Sequence, residues 1–109
     1  MAYDEGLAER LREALADRDA LQEKKMFGGL SFLLNGNLCC GVIGDEMIVR
    51  VGPEASDSAL QKPHARMFDF TGKPMKGWVI VAPQGFEGDD DLRRWVEMGL
   101  GFAGSLPPK

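Results

Sequence analysis

KKMFGGLSFLLNGNLCCG, residues 24–41, sets a glycine pair, a hairpin-turn dipeptide and two adjacent cysteines among apolar runs. Asn-Gly at 35–36 is the dipeptide favoured where both turn residues need positive φ, so the flanking runs read as an antiparallel hairpin. Leu30 to Leu34 forms its first strand and Asn37 to Ile43 its second. Gly28-Gly29 reads as a sharp bend into that hairpin. Side chains alternate across a strand, so Cys39 and Cys40 are expected on opposite faces, as small strand residues.

Working outward, Gly44-Asp45 marks a second tight turn, and Glu46 to Val51 a third strand with Met47, Val49 and Val51 inward. Upstream, Leu7, Leu11, Ala14, Leu15 and Leu21 recur at helical spacing, which predicts a helix from Tyr3 to Gln22. Downstream, Gly52-Pro53 ends the third strand and opens a short helix through Leu60. Arg66 to Phe68 reads as a brief strand, residues 69–77 as a glycine- and proline-punctuated loop, and Trp78 to Val81 as a fifth strand. Asp89 to Asp91 suit the N-cap and first turn of a last helix, with Leu92, Trp95, Val96, Gly99 and Leu100 on one face. The expected fold is therefore α+β, a single two-layer domain over residues 1–109. Its antiparallel sheet of about five strands carries its helices on one face, in the order α-βββ-α-ββ-α.

Composition narrows the function classes. A chain of 109 residues with 44% hydrophobic and 28% charged residues can bury one core without staples. No apolar run approaches the roughly 20 residues of a bilayer-spanning helix. The acidic start lacks the basic end and apolar core of a secretory signal, so a cytoplasmic protein is expected. A net charge of −4 argues against wholesale attraction to nucleic acid or anionic membrane. That charge is unevenly spread. Residues 1–23 hold seven acids and three bases, whereas residues 62–86 hold Lys62, Arg66, Lys73 and Lys76 against Asp69 alone.

Catalytic chemistry finds little to stand on. The glycines near Lys24 and Lys25 lead into a strand, not from a strand into a helix, so neither a Walker A loop nor a dinucleotide fingerprint fits. One histidine, His64, and two cysteines without C-x-x-C spacing make no metal set. No serine lies in a nucleophile-elbow setting, and only a pairing of His64 with Cys39 or Cys40 is left open by spacing. The expectation is no catalytic residue, no metal and no cofactor. What remains is a basic surface: Arg50, Arg66, Lys73 and Lys76, interleaved with Phe68, Phe70 and Trp78. It can recruit an acidic protein partner. It can alternatively serve as a direct nucleic-acid accessory that joins cations to stacking rings. The sheet's edges and open face leave a homodimer open as well.

The order of three signatures resembles one family. Met26-Phe27-Gly28-Gly29, Arg50 after the third strand, and Thr71-Gly72-Lys73-Pro74-Met75-Lys76-Gly77-Trp78 are similar to the N-terminal domain of the TfoX/Sxy family, over about Lys24 to Val81. The resemblance implies a fold like that of type III secretion chaperones. It also implies a regulator of competence genes acting with the cyclic-AMP receptor protein at promoters, and it brings no catalytic residues. Regulators of that kind carry a second, C-terminal domain, whereas this sequence is expected to be the N-terminal domain standing alone.

Overall fold

The computed structural model describes residues 3–16, 21–26, 28–69, 72 and 76–108. Helix α1 (Glu5–Ala14) leads into β1 (Leu21–Met26), β2 (Gly29–Leu34), β3 (Asn37–Ile43) and β4 (Glu46–Arg50). A short α2 (Ser56–Leu60), β5 (Ala65–Met67), β6 (Trp78–Val81), a 3-10 turn at Pro83–Gly85 and a long α3 (Asp89–Ser105) complete the chain. The strands form one antiparallel sheet in the order β1-β2-β3-β4-β6-β5. The α+β expectation therefore holds, with six strands rather than about five.

The added strand is β1. Helical spacing of leucines carried the expected first helix to Gln22, but the helix stops at Ala14, and Leu21 and Gln22 belong to β1. Gln22, Glu23, Lys24 and Lys25 are all exposed, and β1 is an edge strand of the sheet. Charged side chains on such an edge discourage pairing with another chain, and they also erase the alternation by which a strand is recognised. Arg12 fastens this edge to α1. Its Nε and Nη2 donate to both carboxylate oxygens of Glu23, at 2.7 and 2.9 Å, and its Nη1 donates to Glu9.

The hairpin turn forms as its dipeptide predicts, with Asn35 at φ 53° and Gly36 at φ 83°. At the other helix, Asp89 to Asp91 occupy the first turn of α3, but the N-cap itself is Gly88. Their charge still favours the positive end of the helix dipole. α2 begins at Ser56, three residues after the proline expected to open it.

All three helices contribute to one core cluster with the inner face of the sheet. Leu7 and Leu11 of α1, Ala59 of α2 and Trp95, Val96 and Leu100 of α3 meet Phe32, Val42, Met47, Val49, Val79 and Val81. The opposite face carries a smaller cluster of Ile48, Phe68 and Ile80, with Ile43 and Trp78 packed against it.

The two cysteines depart from strand alternation. Phe32 pairs with Cys40 and Leu33 with Leu38, so Cys39 is an extra residue on β3, a β-bulge. The bulge brings both cysteines into the main core, where both are fully buried. They are not the opposed pair that a regular strand would give. The Cys39 thiol donates to the Phe32 carbonyl at 3.3 Å and lies 3.8 Å from the Cys40 sulfur. Over the bulge sits Gly99 of α3, where a Cβ would fall 2.2 Å from the Cys39 carbonyl oxygen.

Two predictions follow from these contacts. Gly99→Ala must push α3 off the sheet and should destabilise by about 1–3 kcal/mol. Gly101→Ala lies in the same helix, has open space around its Cβ, and should stabilise by about 0.5–1 kcal/mol. Urea denaturation of both variants checks the pair, and a common sign for the two changes would refute the packing argument. The second prediction concerns acid. The hydrogen bond from Arg12 holds the Glu23 carboxyl below its usual range. A carboxyl depressed in the folded state adds stability above its unfolded pKa and loses it as pH falls through the folded one. Glu23→Gln should therefore cost a little stability at neutral pH and flatten the decline on acidifying below about pH 4.5. Melting temperatures taken between neutral and acid pH test this.

Candidate interaction surface

Four cations were expected to form the surface, and their structural positions differ. Arg50 ends β4, where it pairs in register with Trp78. Its guanidinium carbon lies over the Trp78 ring and over the Phe102 ring, 5.2 Å from each centroid. Stacking on two rings holds the flat guanidinium in place and leaves it half-buried. Arg66 sits in β5 opposite Ile80, two positions along β6 from Trp78, so it shares the sheet's outer face with Arg50. It is engaged, however: Nη1 and Nη2 donate to the two oxygens of Glu46 at 2.7 and 3.0 Å. That carboxylate raises the Arg66 pKa further above neutrality. Lys76 is exposed in the turn before β6. Lys73 lies outside the described residues, as does Phe70.

Beside Arg50 runs a groove of about 530 Å³ between the β4–α2 connection and the last turns of α3. Val51, Pro53, Met98 and Phe102 give it apolar walls, and Glu54 and Glu97 stand on its lining. Phe102 was not among the residues singled out from the sequence. The signal was there: Phe102 lies three residues after Gly99 and seven after Trp95, so it continues the edge of the stripe formed by Leu92, Trp95, Val96, Gly99 and Leu100. An aromatic residue at the edge of the buried stripe of an amphipathic helix, half-buried as Phe102 is, keeps surface for a partner. Gly52, at φ 89°, comes so near the Phe102 ring that a Cβ there would sit 2.4 Å from its Cδ1. The backbone of the connection thus packs flat against the aromatic wall.

The arrangement that nucleophilic catalysis would need does not form between His64 and the cysteines. His64 is exposed in the α2–β5 turn, while both thiols are sealed beneath α3. The neighbouring Cys39 thiol and burial push the Cys40 thiol well above its usual range. Among the described residues no group of three His, Cys, Asp or Glu side chains could hold a metal ion. Among them, too, no helix is long and apolar enough to cross a membrane.

A family model for the TfoX N-terminal domain matches residues 13–103. The chain belongs to that family. The match takes in most of the domain: the end of α1, the whole sheet and α3 as far as Ala103. It extends the resemblance carried by the glycine pair, Arg50 and the Lys76-Gly77-Trp78 turn on both sides. No curated protein and no solved structure matches the chain.

Burial of the thiols has a direct consequence. Native protein should leave a thiol reagent such as Ellman's unreacted over many minutes, and both cysteines should react at once in denaturant. Rapid release from the folded protein would mean that the bulge opens.

Proposed function

We propose that this TfoX N-terminal domain works without catalysis, by binding a protein partner in transcriptional regulation. The observation that carries the reading is Arg50 stacked over Trp78 and Phe102 at the side of an apolar groove. Arginine and tryptophan are the residues on which interface energy concentrates, above all where they are held rigid and partly dry. The occupant that fits is a peptide segment of the partner, with an apolar side chain for the groove and a carboxylate for Arg50. Lys76, exposed beside the start of β6, adds charge that speeds encounter with an acidic segment more than it tightens the complex.

The regulatory setting comes from the family resemblance, and the partner class comes from the surface. Affinity capture from cells, repeated with folded Arg50→Gln and Phe102→Ala variants, tests the reading. A protein retained by the natural chain should be recovered about tenfold less with either variant. It should be recovered equally with Lys25→Ala on the remote edge strand. A captured set indifferent to both groove variants refutes this site. Titration with duplex DNA at two salt concentrations covers the alternative, since phosphate contacts weaken steeply with salt. Tight, salt-sensitive DNA binding without a captured protein would replace the proposal by a nucleic-acid role.

A further inference from the structure

A second concavity, nearer the start of α3 than the groove and sharing Met98 with it, is otherwise built from different residues. The α2–β5 turn brings Lys62, Pro63 and His64 against the first half of α3, and with Gln84 and Gly85 they enclose about 310 Å³. This lies at the small end of ligand-pocket volumes. Trp95 and Met98 give it apolar surface, and Trp95 is itself buried. The Lys62 Nζ stands 5.9 Å from the centroid of the Trp95 ring. Arg94 adds a second cation to the lining, held by Asp91 at 3.4 Å.

His64 adds an independent observation. Only two non-glycine residues among those described have positive φ: Asn35, in its hairpin turn, and His64, at φ 68°. Side-chain-bearing residues avoid that region, and such conformations collect at binding sites, where surrounding contacts enforce them. Here the His64 carbonyl accepts from the Ala82 amide at 2.9 Å, which fixes the turn and leaves the imidazole on the cavity lining.

We propose that this cavity binds a small phosphate monoester, its phosphate held by Lys62, Arg94 and His64 and its organic part resting on Trp95 and Met98. The lining supplies ammonium, guanidinium, imidazole and, from Gln84, amide donors, with Asp91 the one carboxylate among them. That donor set suits an oxyanion with three terminal oxygens and two charges better than a carboxylate. The apolar surface beside it would be left unused by inorganic phosphate. Nothing in this site overlaps Arg50 or Phe102, so its failure leaves the protein-binding reading untouched.

The two tryptophans, Trp78 and Trp95, allow a direct readout, because each indole N–H gives its own resonance in a proton–nitrogen spectrum. Adenosine 5′-monophosphate, glucose 6-phosphate and inorganic phosphate are titrated separately, and the first two distinguish a nucleotide from a sugar phosphate. One ester should shift the Trp95 resonance to saturation, leave that of Trp78 in place and bind more tightly than inorganic phosphate. Lys62→Ala and Arg94→Ala should each weaken it by about tenfold or more. His64→Gly should weaken binding while melting no lower than the natural chain, since its backbone already lies where glycine is at ease. The proposal is overturned if Trp95 stays unmoved up to about 10 mM of either ester. It is overturned equally if inorganic phosphate binds as tightly as both, or if the folded alanine variants bind like the natural chain.

Discussion

A helix can approach a sheet only as closely as its smallest facing residue allows, and on α3 that residue is Gly99. With no Cβ at this position, the helix backbone descends onto the Cys39 carbonyl, at the point where β3 bulges. The two features are complementary: the bulge raises one residue out of the ladder, and the glycine makes room for it. Any other side chain at position 99 would hold the helix off the strand. The Trp95, Val96, Leu100 and Ala103 contacts that close the main core would then lengthen together, since they lie on the same stripe. The vicinal cysteines belong to the same device. Both are small enough to enter a core that a bulge has locally crowded, and their thiols fill it without demanding hydrogen bonds.

Seating α3 in this way also sets what its flanks can present. Along one edge of the buried stripe, α3 presents Asp91, Arg94 and Met98 near its start and Gly101, Phe102 and Ser105 near its end. The α2–β5 turn closes the first of these stretches into a small cationic hollow, and the β4–α2 connection flanks the second as a longer apolar groove. Met98 lines both. One edge of one helix therefore carries both a pocket sized for a metabolite and a surface sized for a peptide, and its position in turn depends on one missing methyl group.

Much of the fold was legible because its turns are chemically explicit. Asn35-Gly36, Gly44-Asp45 and Gly52-Pro53 mark the strand ends, and apolar alternation between them is clear wherever a strand has one buried face. The reading failed where burial did not govern the pattern. β1 is exposed along its middle four residues, so nothing in LQEKKM records that it is a strand, and Leu21 extended the helical periodicity by coincidence. The bulge failed for the opposite reason. It answers to a helix some sixty residues away, and no local signal in Leu38-Cys39-Cys40 reports that contact. At the candidate surface, Arg50 was legible as a cation following a strand. Phe102 needed the stripe to be carried on from Trp95 by seven residues, to an edge position that is only half-buried.

Charge shows best why a linear reading misplaces a surface. Residues 62–86 look like one basic segment, yet folding distributes their cations to different duties. Lys62 joins Arg94 at the hollow beside Trp95, and Arg66 is engaged by both oxygens of Glu46. The acidic segment from 87 onward is similarly divided, with Asp89 meeting Arg10 and Asp91 meeting Arg94. These pairs are local, and beyond about 10 Å exposed charges are largely screened at ordinary ionic strength. Selectivity in such a molecule must come from contacts made at close range, where a guanidinium fixed over two rings or a lysine poised over an indole loses water on binding. Both features are built at the flanks of α3, and there the chemistry of recognition is concentrated.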